Sequence, residues 1–182
     1  KELDETMELI ENMENDIQLT MKDVSGTDTE KDTTGKVSQC INYGNVTGDM
    51  NIGGITGTMA EENDFDDYED TSIYGDYSMN ITGQVRVVVR DCINYGTIKA
   101  GKNYAGGIAG NMAMGAVLES INLGHLDSIN ADYVGGIAGS SKAIIRNSSS
   151  KCIIAGADYV GGIAGMGDEV KDCYAFVSIP AH

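Results

Sequence analysis

From Val37 onward, β-forming residues come in short runs broken by Gly, Asn and Asp, and the runs recur. One copy reads Ala116-Val117-Leu118-Glu119-Ser120-Ile121, then Leu126-Asp127-Ser128-Ile129, then Tyr133 to Ala138. Short β-rich runs bounded by turn residues predict strands, here three to a period. Two signatures set that period. Tyr133-Val134-Gly135-Gly136-Ile137-Ala138-Gly139 returns unchanged from Tyr159 to Gly165, with a near copy from Tyr104 to Gly110 and a worn one from Asn51 to Gly57. Between them lie Cys40-Ile41-Asn42-Tyr43-Gly44, Cys92-Ile93-Asn94-Tyr95-Gly96 and Ser120-Ile121-Asn122-Leu123-Gly124. The Gly-Gly pairs start at Gly53, Gly106, Gly135 and Gly161, so the later steps are near 26–29 residues and the first spans about two.

A period of this length with three short strands predicts an all-β chain folded as a right-handed parallel β-helix. Identical turns would stack ~4.8 Å apart, and the crossovers would take the usual hand. The columns of such a stack can be read directly. Val37, Val89, Val117, Ile145 and Val170 are expected to point inward, as are Cys40, Cys92, Ser120, Ser148 and Cys173 three residues later. Val46, Ile98, Leu126, Ile154 and Ile179 follow, inward again. Asn42, Asn94 and Asn122 form a polar column whose amides can bond along the stack. The glycines are expected to supply positive φ or a bulge at the corners.

Three stretches break the repeat. Leu3, Met7, Ile10, Met13, Ile17, Met21 and Val24 fall at three- and four-residue steps, which predicts an amphipathic helix over residues 1–24. It would either cap the next domain or end an upstream coiled coil. Residues 25–36 carry no apolar side chain and read as a polar linker. Residues 61–84 open with seven acids in ten positions and read as an acidic excursion from the β-helix of 37–182.

Charge narrows the partners. Twenty-eight acidic against twelve basic residues give a formal charge of −16, which repels phosphate backbones and anionic membrane surfaces. No apolar run reaches the ~20 residues of a membrane span. The chain begins at Lys1 and stops within a repeat, so it is expected to be part of a longer protein whose targeting segment lies elsewhere. The four cysteines, Cys40, Cys92, Cys152 and Cys173, lack the Cys-x-x-Cys spacing of zinc or redox sites. They could form two disulfides, but nothing else marks a disulfide scaffold, and three recur at one repeat position, which favours packing.

Candidate chemistry is sparse. Asp64, Asp66, Glu69 and Asp70 could bind calcium through carboxylate oxygens, but the run lacks the glycine and terminal Glu of an EF-hand, which favours a solvated loop. No other cofactor is indicated. His125 and His182 stand apart, and no His-Glu-x-x-His is present. Arg86, Arg90, Asp91, Lys99 and Lys102 gather in one repeat. They could serve a carbohydrate-active β-helix enzyme or hold the acidic excursion. Tyr104, Tyr133 and Tyr159 are expected outside the stack, where they either bind a sugar or a partner strand or form a stabilising ladder. Ile41, Ile93, Ile121 and Tyr174, with Tyr43, Tyr95 and Phe176, make a second outward set that is unusually apolar.

The alternation of Cys-Ile-Asn-Tyr-Gly with Val-Gly-Gly-Ile-Ala-Gly resembles the GLUG motif repeat of large bacterial surface and secreted proteins. Those include regions of IgA-specific metallopeptidases outside their catalytic domains. The resemblance covers roughly residues 37–60 and 85–182. It implies an extracellular, β-helical module for adhesion or spacing, without a shared catalytic mechanism; a protein or glycan ligand is the partner expected of such a surface. The alternative is a carbohydrate-active β-helix enzyme of polysaccharide lyase or glycosidase type.

Overall fold

The computed structural model describes residues 18–60 and 80–180. These residues form short strands with no α-helix, and their strand pairs are parallel. The chain divides into two compact units, Lys1–Asp23 with Glu62–Val85, and Val24–Glu61 with Arg86–His182. In the first, Gln18–Asp23 pairs in register with Asn80–Val85.

In the larger unit each strand pairs with its counterpart one repeat on. Lys36–Ser38 pairs with Val88–Arg90, which pairs with Ala116–Leu118, which pairs with the end of Ala138–Arg146; that strand pairs with Ala164–Lys171. This register sets Val37, Val89, Val117, Ile145 and Val170 side by side, as the repeat pattern requires. Pairing of Val46–Gly48, Ile98–Ala100, Leu126–Ser128 and Ser149–Gly156 does the same for Val46, Ile98, Leu126 and Ile154. A one-residue register shift between Ser141 and Ile144 interrupts the pairing of Ala138–Arg146 with Ala164–Lys171.

Stacking explains the burial. Val89, Val117 and Ile145 are almost fully buried, while Val37 and Val170, at the outer repeats, are each 44% exposed. The same residue type at the same position is covered only when a repeat lies on both sides of it. Each fully buried aliphatic stabilises by roughly 1.5–3 kcal/mol, so the core resides in the middle repeats.

The corners differ from expectation. The expected run at 116–121 is two strands, Ala116–Leu118 and Ile121–Asn122, parted by a left-handed Glu119. Among the described residues, positive φ on glycine occurs at Gly35 and Gly115, and otherwise it falls on non-glycine residues: Gln39, Asp91, Glu119, Asn147 and Asp172 at one corner, and Asn51, Tyr104, Tyr133 and Tyr159 at another. The Gly-Gly pairs have ordinary φ and are needed for space instead. A Cβ on Gly106 would overlap the Ala109 carbonyl, and one on Gly107 would overlap the Asn122 side chain. Gly54 bears on Asn94 in the same way. The two sequence signatures recur together because the glycine corner of one repeat packs on the asparagine of the next.

That asparagine column is hydrogen-bonded along its length. Asn42 Nδ2 donates to Asn94 Oδ1 at 2.8 Å, Asn94 Nδ2 to Asn122 Oδ1 at 2.8 Å, and Asn122 Nδ2 to Cys152 Sγ at 3.4 Å. Each amide also closes a turn, Asn94 Oδ1 accepting from the Gly96 N–H and Nδ2 donating to the Gly96 carbonyl. Buried polar groups paired this fully cost little and fix register.

Two expectations about the flanks are corrected. The helix assigned to 1–24 fails where the structure describes it: Gln18–Asp23 is a strand, and residues 1–17 lie outside the described residues. Gln18-Leu19-Thr20-Met21-Lys22 alternates polar and apolar, a period of two that a parallel partner stabilises. Residues 25–36 are not an unpacked linker. Ser25 and Asp28 are buried, the Ser25 hydroxyl accepts the Val87 N–H at 2.8 Å, and Arg146 donates to the Gly26 carbonyl at 3.1 Å. The segment lies as a strap against a small outer cluster of Val88, Ala116 and Leu118, with Gly26 against Ile144. Of the excursion, residues 61–79 lie outside the described residues, and its end is the strand Asn80–Val85.

Candidate functional site

Tyr104, Tyr133 and Tyr159 stand together on the outside of the repeats. Each immediately precedes an inward residue (Ala105, Val134 or Val160), and those three are register partners. The tyrosines take the outer side of this corner, Tyr104 and Tyr133 half-buried and Tyr159 exposed. Their rings stack at centroid separations of 5.2 Å (Tyr104 to Tyr133) and 4.6 Å (Tyr133 to Tyr159), the second pair within 3° of parallel. Left-handed backbone costs an L-residue roughly 1–2 kcal/mol, and each ring pair returns about 0.5–1.5 kcal/mol. The ladder thus offsets much of its own backbone cost. Asn51 holds the same corner without a ring, being tolerant of this conformation.

The spacing limits what the ladder can hold. A ligand ring clasped between two tyrosines needs contact of ~3.5–4 Å on each side, and the gaps here are too narrow. A ligand can reach the ring edges and hydroxyls, and the ring of Tyr159, which is 62% exposed. Carboxylates flank the row: Asp132 precedes Tyr133, Asp158 precedes Tyr159, and the Asp158 N–H donates to Asp132 Oδ1 at 3.3 Å. Desolvation, then the neighbouring Tyr159, Tyr104 and Asp132, raise the Tyr133 hydroxyl above its ordinary value of 10. The row presents tyrosine hydroxyls beside the Asp132 and Asp158 side chains, a set able to donate to and accept from polyols.

Most of the second outward set is exposed, with Ile93 half-buried. Ile41, Ile93 and Ile121 are register partners, and Tyr43 stacks on Tyr95 at 5.1 Å. Tyr174 and Phe176 are 66% and 70% exposed, with Lys151 paired to Phe176.

The basic group does not converge. Arg86 pairs with Asp32 at 2.6 Å and Asp28 at 3.5 Å, Arg90 with Glu119 at 2.6 Å and Asp28 at 3.4 Å, and Lys36 with Asp28 at 2.9 Å. Lys99 meets Asp127 and Lys102 meets Asp49, both on the exposed surface. The arginines thus hold the strap, centred on an Asp28 side chain with no exposed surface. Hydrogen bonds from Arg86 and Thr29 hold the Asp32 carboxyl far below its ordinary value. Sequence reasoning misses this hub because its partners are far apart and do not repeat.

The remaining candidates separate. Asp64, Asp66, Glu69, Asp70 and His182 lie outside the described residues. His125 Nδ1 accepts the Ile153 N–H at 3.1 Å in an exposed turn. Among the described residues no group of three or more His, Cys, Asp or Glu side chains is placed to hold a metal, and no helix is long and apolar enough to cross a membrane. Comparison with known protein families, with curated proteins and with solved structures finds no match for this chain.

Proposed function

We propose that this chain is a non-enzymatic adhesion or spacing module of a bacterial surface or secreted protein, built as a right-handed parallel β-helix of the GLUG-repeat type. The observation that supports this reading is how the recurring groups are used. The asparagines, the Gly-Gly corners and the cysteine/serine column face one another across successive repeats. What remains outside includes a row of tyrosines beside carboxylates, a surface for holding rather than reacting. The ligand proposed is a glycan meeting the tyrosine edges and the Tyr159 ring, with Asp132 and Asp158 accepting from its hydroxyls. Extracellular location and membership of a longer protein belong to the same proposal.

The test is a glycan array probed with the wild-type protein and Tyr159→Ala, alongside an assay for new reducing ends or unsaturated sugars. The proposal expects at least one bound glycan, an affinity loss of about tenfold or more in the variant, and no product. Sugar release would overturn the non-enzymatic reading, and equal binding by both proteins would remove the tyrosine row from it.

A further inference from the structure

The cysteine/serine column has one place where two cysteines are neighbours. Down the repeats it reads Cys40, Cys92, Ser120, Ser148 and Cys173. Each side chain turns back toward the preceding repeat. Ser148 Oγ accepts the Ser120 N–H at 3.2 Å, Ser120 Oγ the Cys92 N–H at 3.2 Å, and Cys92 Sγ the Cys40 N–H at 3.4 Å. The Cys92 sulfur thus already lies against the backbone of Cys40. Flanking register pairs, Ser38 with Arg90 and Ile41 with Ile93, place the two Cα atoms as direct neighbours. The ~4.8 Å between such strands falls inside the 4.4–6.8 Å window of disulfides.

This pair also sits where the chain connection is longest. Repeats two and three are joined through residues 113–115, and later joints run within single strands, Ala138–Arg146 and Ala164–Lys171. The first repeat is followed by everything between Met59 and Val88, so Cys40 and Cys92 are 52 residues apart. A covalent link adds most where it closes a long loop, and in this column the loop is long only here.

We propose that Cys40 and Cys92 are a disulfide-forming pair that staples the first repeat to the second. Both are free thiols in this structure. Cys40 is exposed and Cys92 is fully buried, so the order of events follows. A small-molecule disulfide such as oxidised glutathione is attacked by the Cys40 thiolate, giving a mixed disulfide and one glutathione. Cys92 then loses its proton and attacks the Cys40 sulfur, forming the protein disulfide and expelling the second glutathione. Two protein thiols are oxidised, one glutathione disulfide is reduced to two thiols, and both protons leave with them. Bridging requires the Cys40 sulfur to rotate away from the Ser38 carbonyl, a weak 3.4 Å contact at the surface. Cys173 has Ser148 as its neighbour, and Cys152 lies in another column against Asn122, so neither has a partner there.

The test is incubation of the full chain with oxidised glutathione, denaturing alkylation with a maleimide, intact mass and peptide mapping. The expected result is a fall from four alkylated thiols to two, with Cys40 and Cys92 in one cross-linked peptide. A melting temperature higher by about 10 °C should accompany it, from the loop-closure model applied to this loop. Cys40→Ser should fold, because serine already fills the column at Ser120 and Ser148, and should lose the oxidant-induced shift; Cys173→Ser should keep it. Four free thiols, a persistent glutathione adduct on Cys40, or a bridge between any other pair would overturn the assignment.

Discussion

The inner repeats and the strap at Val24–Gly35 are both held tightly, by opposite means. The inner repeats bury aliphatic columns such as Val89, Val117 and Ile145, each covered by its own likeness on either side. The strap buries almost nothing apolar and is held by a carboxylate, Asp28, among Lys36, Arg86 and Arg90. Repetition creates one kind of stability and writes it into the sequence as a period. The other kind depends on partners that occur once, separated by tens of residues, and leaves no periodic trace.

The largest effect that sharpens this contrast comes from truncating one column at two heights. Ile145→Ala, in the covered interior, is expected to lose about 3–4 kcal/mol, as large-to-small changes do when the cavity cannot collapse. Val170→Ala, in the same column but 44% exposed, should lose under about 1 kcal/mol. Denaturant titration with an unchanged slope would measure both, and equal losses would break the claim that covering repeats create the core.

Next is the strap. Asp28→Ala leaves three cations facing one another around a buried gap, and removing one member of such a set costs about 3 kcal/mol. Because Arg86 and Arg90 keep some solvent and have Asp32 and Glu119, a smaller loss, about 2 kcal/mol, is expected. The loss should appear as proteolytic cleavage within 25–35 before the repeats unfold. Cleavage unchanged from wild type would contradict the hub.

Smaller effects come from pH, with opposite signs at the two ends of the scale. The folded Asp32 carboxyl titrates below its ordinary 3.8, so its contribution is complete above that value and is lost as pH falls below it. Burial pushes the Cys152 thiol up from 9.0 to about 11, so its contribution is complete below pH 9 and is lost as pH rises toward 11. Cys92 and Cys173 are raised by burial in the same sense. Melting temperatures should fall at both extremes, and Cys152→Ser should lessen only the alkaline fall. A flattened acid side in that variant would contradict the assignment.

Much of the fold is legible in the sequence. The inward columns, the asparagine ladder and the outward tyrosines follow from recurrence alone, since a residue that repeats at the same step must meet its own copies. The Gly-Gly pairs do mark corners, but for a different physical reason from the one expected; among the described glycines only Gly35 and Gly115 take positive φ. Positive φ sits on Tyr104, Tyr133, Tyr159 and Asp91, residues whose sequence gives no sign of it, while Gly107 is small because Asn122 occupies its space. The segment Gln18–Asp23 satisfies two periods at once, and its parallel partner more than sixty residues on decides for a strand. In the sequence Asp28 is one polar residue among many in a polar stretch. The tyrosine row is visible as a column, but its tight spacing, which confines a ligand to edges and one end, emerges only in three dimensions.

Amide hydrogen exchange followed by mass spectrometry tests the central claim most directly. The account predicts the slowest exchange at Ile98–Ala100, Ala116–Leu118, Leu126–Ser128 and Asp132–Gly135, where neighbouring repeats cover both sides, and faster exchange at Lys36–Ser38 and Tyr174–Ser178. Protection that is uniform across the repeats, or greatest at the outer ones, would contradict it.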